Sequence, residues 1–169
     1  MGKLENIKKT SKLIGKVGKI FQIFAGILTG FSLFFIIILS ILRTTLNTMI
    51  AESQASFDFS NMWQYAGKLE SEGKVVEAGI LILIFGALFT LIITIIMHFI
   101  AKIFNRIYKG DSPFLPEIVN DLKIVSALST LLILRNSIGL GIVSGFIFWG
   151  IIQLYEYGCE LQNQVDEIL

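Results

Sequence analysis

Phe21–Leu42 reads FQIFAGILTGFSLFFIIILSIL, 22 residues whose only polar members are Gln22, Thr29, Ser32 and Ser40. An α-helix rises about 1.5 Å per residue, so this run is long enough to cross the roughly 30 Å hydrocarbon layer of a bilayer. In lipid every backbone N–H and C=O must be satisfied within the segment, which a single apolar run achieves only as a helix. A second run, Ala78–Ala101, contains nothing more polar than Thr90, Thr94 and His98. The composition agrees, with 54% hydrophobic against 16% charged residues and a mean hydropathy of +0.74. That balance exceeds what the core of a water-soluble domain of this length requires.

The remaining apolar material divides at Arg135-Asn136-Ser137 into Ile124–Leu134 and Ile138–Tyr155. The first piece alone is too short to span, but a helix over 119–137 reaches about 28 Å. Asp121 and Lys123 then mark one interface and Arg135 the other, since long cationic side chains snorkel from helix ends. The expectation is an all-α polytopic membrane protein with four transmembrane helices at 21–43, 78–101, 119–137 and 138–157. A basic amphipathic arm (1–20), an external loop (44–77), a cytoplasmic turn (102–118) and an acidic tail (158–169) complete it. The arm carries six lysines, and Lys102, Arg106, Lys109 and Lys123 share its side of the membrane. Arg43, Lys68, Lys74 and Arg135 lie opposite. This distribution predicts that both termini are cytoplasmic. No small-x-small cleavage site follows the first run, so the arm does not read as a signal peptide. Cys159 then sits in a reducing compartment, with no partner for a disulfide.

The connection YKGDSPFLPEIVNDLK, residues 108–123, is the most polar and turn-rich part of the chain. Gly110 suits a chain reversal, Asp111 or Ser112 a helix cap, and Pro113 or Pro116 a first helical position. Glu117 favours the first turn through the helix dipole. Ile118, Val119, Leu122 and Val125 form an apolar stripe at helical spacing. Gly110, Pro113 and Phe114 are thus the structural turn.

IYKGDSPFLPEIVNDLKIVSAL, a glycine-rich helix and LYEYGCELQNQVDEIL together resemble the second half of a bacterial membrane family catalogued as domain-of-unknown-function family 2975. Gly110, Pro113 and Phe114 match its Gly-x-x-Pro-Phe turn, and Gly158, Leu161, Gln162, Asp166 and Leu169 match its final helix. The resemblance covers about residues 75–169. It implies four helices, a bacterial plasma membrane and a small helix-turn-helix transcription regulator encoded nearby, and it implies no catalytic residue.

Gly26 and Gly30, and likewise Gly141 and Gly145, are spaced for close helix packing, within the chain or between copies in a homo-oligomer. His98 is the only histidine and a candidate proton sensor. A metal site would need partners for it, and only Glu156, Glu160 and Cys159 lie at comparable depth. No phosphate loop, zinc-protease or nucleophile-elbow motif is present, so neither a cofactor nor an enzymatic activity is expected. In the external loop, Phe57, Phe59, Met62, Trp63, Tyr65, Ala66 and Leu69 predict a short interfacial helix, with Trp63 and Tyr65 as belt anchors or as a partner surface. The arm stripe Leu4, Ile7, Ile14, Val17 and Phe21, ringed by lysines, suits anionic lipid. At the other terminus, Leu154, Gly158, Leu161, Val165 and Ile168 make an apolar stripe beside Glu156, Glu160, Asp166 and Glu167. Glu160, Leu161, Val165, Asp166 and Ile168 are therefore the candidate surface for a cytoplasmic regulator or another membrane protein, without direct nucleic-acid contact. A non-enzymatic regulatory, binding or accessory role is expected, with a small transporter or channel subunit as the alternative.

Overall fold

The computed structural model describes residues 2–53, 58–59, 63–110 and 112–168, with the side chains of Lys3, Asp166 and Ile168 outside the description. The described residues form five helices: α1 (Lys3–Ser53), α2 (Gln64–Ser71), α3 (Val75–Lys109), α4 (Pro116–Asn136) and α5 (Ile138–Ile168). Of the two prolines of the chain, Pro113 lies in the α3–α4 connection and Pro116 opens α4. Nothing upstream of them removes a backbone donor, so the helices run further than the apolar spans they contain.

The helices extend past the expected spans. The arm and the first apolar run are one helix of 51 residues that continues ten residues into the expected loop. It does so because Thr44–Ser53 holds neither Gly nor Pro and because Arg43 and Asn47 find partners on α3. Likewise α3 runs on to Lys109 and α5 through the acidic tail. Among the described residues, three helices are long and apolar enough to cross a membrane: α1 (over Leu4–Ser53), α3 and α5 (over Ile138–Val165). The sequence α4 does not meet that standard, because Glu117, Asp121 and Lys123 occupy its first turns and Arg135 its last. Large apolar side chains such as Phe31, Phe34, Ile37 and Ile41 on α1 and Phe146 and Trp149 on α5 point outward, the inverse of a soluble core.

The chain divides into two compact units, Met1–Phe24 with Ile92–Leu169, and Ala25–Leu91. In the first, α1 and α3 run antiparallel at close range. A Cβ on Gly18 would lie 3.4 Å from Ala101, and one on Gly15 would lie 3.6 Å from the Asn105 backbone. The pair α4–α5 is a hairpin broken by one residue, Ser137, whose extended backbone ends α4. Its carbonyl then accepts the Gly141 N–H (2.9 Å) as α5 begins. So sharp a reversal requires Gly141, where a Cβ would meet the Leu134 Cα at 2.7 Å. Gly145 follows one turn later against Thr130 (3.4 Å).

In the second unit, Thr29 Oγ1 donates to Thr90 Oγ1 (2.8 Å), whose own proton goes to the Gly86 carbonyl (3.0 Å). Asn47 caps the start of α3: its Oδ1 accepts the Val76 N–H (3.1 Å) while its Nδ2 donates to Glu77 (2.8 Å). Glu77 also pairs with Arg43 (3.5 Å). The short α2 closes with Gly73 at φ +77°, where the Lys74 N–H reaches back to the Leu69 carbonyl (2.9 Å). That left-handed residue strongly favours glycine.

Candidate binding surfaces

A polar cluster lies where α3 meets α4. Asp121, only 5% exposed, receives Lys102 Nζ on one carboxylate oxygen (2.8 Å) and Arg106 Nη1 on the other (3.0 Å). Arg106 also donates to the Glu117 carbonyl (2.9 Å) and stands 3.8 Å from its carboxylate. The cause is helical spacing. Lys102 and Arg106 are four apart on α3, Glu117 and Asp121 four apart on α4, and each pair presents one face. Separating these charges leaves Asp121 buried and uncompensated, so the site specifies how α3 and α4 register. On the facing pair, Lys123 holds Glu156 of α5 at 2.8 Å. The two complementary four-residue spacings, Lys102/Arg106 and Glu117/Asp121, are present in the sequence, but only the fold shows that they face each other.

The turn is held from α5. The Tyr155 hydroxyl accepts the Leu115 N–H (3.0 Å) and donates to the Pro113 carbonyl (2.9 Å). The Phe114 ring lies 5.6 Å from that of Tyr155 and sits on Gly158, where a Cβ would be 2.5 Å from Phe114 Cε1. Gly110 serves by close approach, a Cβ there lying 3.1 Å from Leu115, and it is not among the left-handed glycines. The expected cap needs correction. Leu115 is the N-cap of α4, with no side-chain bond, and Pro116 follows it. Ser112 spends its hydroxyl elsewhere, accepting the Phe114 N–H (3.0 Å) and donating to Gln162. Asp111 lies outside the described residues. The turn and the final helix, far apart in sequence, are thereby packed together through Phe114–Gly158 and Ser112–Gln162. Tyr155 fastens the turn through both of these hydrogen bonds, a partnership that its local sequence does not signal.

Beyond that contact, α5 presents Leu161 (44% exposed), Val165 (55%) and Tyr157 outward, with Glu160 and Glu167 exposed beside them. Asp166 and Ile168 belong to the same helix, but their side chains lie outside the description. Cys159, in contrast, is buried and free. Trp63 and Tyr65 separate in role. Trp63 is half-buried at the start of α2 with its ring edge-on to Phe85 (4.2 Å), whereas Tyr65 is 66% exposed. Phe57 and Met62 lie outside the described residues. Just past α2, the Lys74 ammonium bonds Glu72 at 2.9 Å, which holds that carboxyl below its usual range and raises the lysine in turn.

The glycine motifs also separate. Gly141 and Gly145 face α4 as packing residues, whereas a Cβ on Gly30 would meet nothing within 4 Å and Gly26 is half-buried. Close packing of α1 falls instead at Gly15 and Gly18, where Ala101 offers a small partner. His98 is exposed, its Nδ1 3.3 Å from Gln22 Nε2. Among the described residues no group of three or more His, Cys, Asp or Glu is placed to hold a metal. Comparison with protein-family models matches none, and neither the curated proteins nor the solved structures contain a significant match.

Proposed function

We propose that this chain is a non-enzymatic integral membrane protein of the bacterial plasma membrane, crossing it four times with both ends in the cytoplasm. Its α5 end is a docking surface for a cytoplasmic partner, of which a helix-turn-helix transcription regulator is the favoured kind. One observation carries the reading: Tyr157, Leu161 and Val165 form an exposed apolar row on a helix whose other side is anchored to the α3–α4 turn by Phe114 and Ser112. A rigid amphipathic row of this kind is what helix-docking partners engage. Glu160 and Glu167 beside it favour a basic partner, as a DNA-binding regulator is. Each exposed ion pair contributes only about 0–1 kcal/mol, so the apolar row supplies most of the affinity and the acids mainly the rate of encounter.

The test is co-purification of the helix-turn-helix regulator that the family resemblance implies nearby with the full-length protein and with a Leu161→Asp/Val165→Asp variant of equal melting temperature. Recovery lost in the variant supports capture by α5, and equal recovery rules it out. A small transporter or channel subunit is the second reading, favoured by the Asp121–Lys102–Arg106 cluster, since ionisable groups on membrane helices often mark a path for ions. Under the docking reading, proteoliposomes carrying the protein show no solute or ion flux above empty vesicles.

A further inference from the structure

A groove of about 540 Å³ opens between residues 11–22 of α1 and the last turns of α3, with Lys12, Lys16, Lys19, Gln22, His98 and Tyr108 among its walls. The three lysines recur at intervals of four and three along α1 and so lie on one face. Their mutual repulsion is unrelieved, because none of them has a carboxylate partner among the described residues. Lys102 also reaches this groove, but Asp121 already engages it. The groove exists because Gly15 and Gly18 let the two backbones approach at Ala101, which sets the lysines of α1 directly across from His98 and Tyr108 of α3. Lys12 rests its ammonium over the Tyr108 ring, 5.0 Å from the centroid. Gln22 occupies the His98 Nδ1 and leaves the other ring nitrogen for a ligand.

We propose that this groove is a binding site for a phosphate-bearing anion. The lining offers three ammonium groups without a carboxylate partner, several neutral donors and, among its residues, no acid, which is the chemistry that recognises phosphate oxygens. Its depth points to the headgroup of an anionic phospholipid as the source. Lys19 is the last charge before the apolar run, and Ile20, Phe21 and Phe24 directly below are exposed surfaces on which acyl chains would lie. The site rests on the membrane reading of α1 and α3 and is independent of docking at α5.

The full-length protein is reconstituted in phosphatidylcholine nanodiscs and its melting temperature followed while phosphatidylglycerol replaces part of the lipid, or while inorganic phosphate is added instead. Two variants remove the same charge: Lys16→Gln/Lys19→Gln in the groove and Lys8→Gln/Lys109→Gln outside it. The parent and the outside variant are expected to be stabilised by phosphatidylglycerol at similar mole fractions, with the groove variant needing about tenfold more. Stabilisation by phosphatidylglycerol alone identifies a lipid headgroup as the ligand, whereas stabilisation by millimolar phosphate identifies a free anion at the same site. Equal weakening in both variants would reduce the effect to general surface charge and overturn the site. So would a parent that neither anion stabilises.

Discussion

Asp121 is a buried acid between two cations. Both its oxygens are engaged by cations, and it is nearly buried, whereas Lys102 and Arg106 keep about a third of their surface in contact with solvent. Asp121→Asn should therefore cost about 3 kcal/mol, read by thermal or denaturant unfolding in detergent, because it leaves two cations facing a neutral group. Glu117→Gln removes a carboxylate that is 77% exposed and 3.8 Å from Arg106, and should change stability by less than about 1 kcal/mol. A comparable loss in both variants would mean that the cluster is held together by solvent-exposed charge alone. Tyr155→Phe removes the hydroxyl that both accepts from Leu115 and donates to Pro113, and should cost about 1–3 kcal/mol. The identity of these residues was plain in the sequence, but their partnership was not, since a carboxylate on one helix can pair with any cation that the fold brings within reach.

At the scale of elements, the α3–α4 turn and α5 act as a fastened pair. Gly158→Ala places a methyl group against the Phe114 ring and should destabilise by about 1–3 kcal/mol, as overpacking does. In a Phe114→Leu background the same substitution should cost distinctly less, because the clash is with the ring, and the double-mutant cycle measures that coupling. Additive effects would show that the two residues do not touch. Elsewhere, Gly73→Ala should cost roughly 1 kcal/mol, since φ +77° is a conformation that alanine reaches only with strain. The neighbouring Glu72–Lys74 pair persists above the lowered carboxyl pKa and is lost as the pH falls through it, so acid loosens the end of α2.

For the molecule as a whole, the number of crossings is the decisive property. The proposed four-span arrangement places Ser71 outside and Glu167 inside, and three crossings would put them on the same side. In a Cys159→Ser background, Ser71→Cys should react with a membrane-impermeant thiol reagent on intact cells, and Glu167→Cys only after permeabilisation. Reaction of Glu167→Cys on intact cells would reduce the count to three. Cys159 itself is a poor reporter, because its burial hides the thiol whichever side it occupies.

Helical class and membrane character followed from the sequence alone, because an apolar run such as Phe21–Leu42 has one way to satisfy its backbone in lipid and needs no other part of the chain to do so. The α3–α4 turn was legible for the same local reason, in the chemistry of Gly110, Pro113 and Pro116. Helix ends were less so: α1 extends to Ser53 and α3 to Lys109 because Asn47, Arg43, Lys102 and Arg106 meet partners that lie far along the chain. The packing roles of the glycines likewise depended on what stood opposite, open space at Gly30 and Ala101 at Gly18. Tertiary structure alone decided which lysines share a groove, which acid is buried and which face of α5 stays free, since each is a relation between helices and no single helix encodes its neighbour.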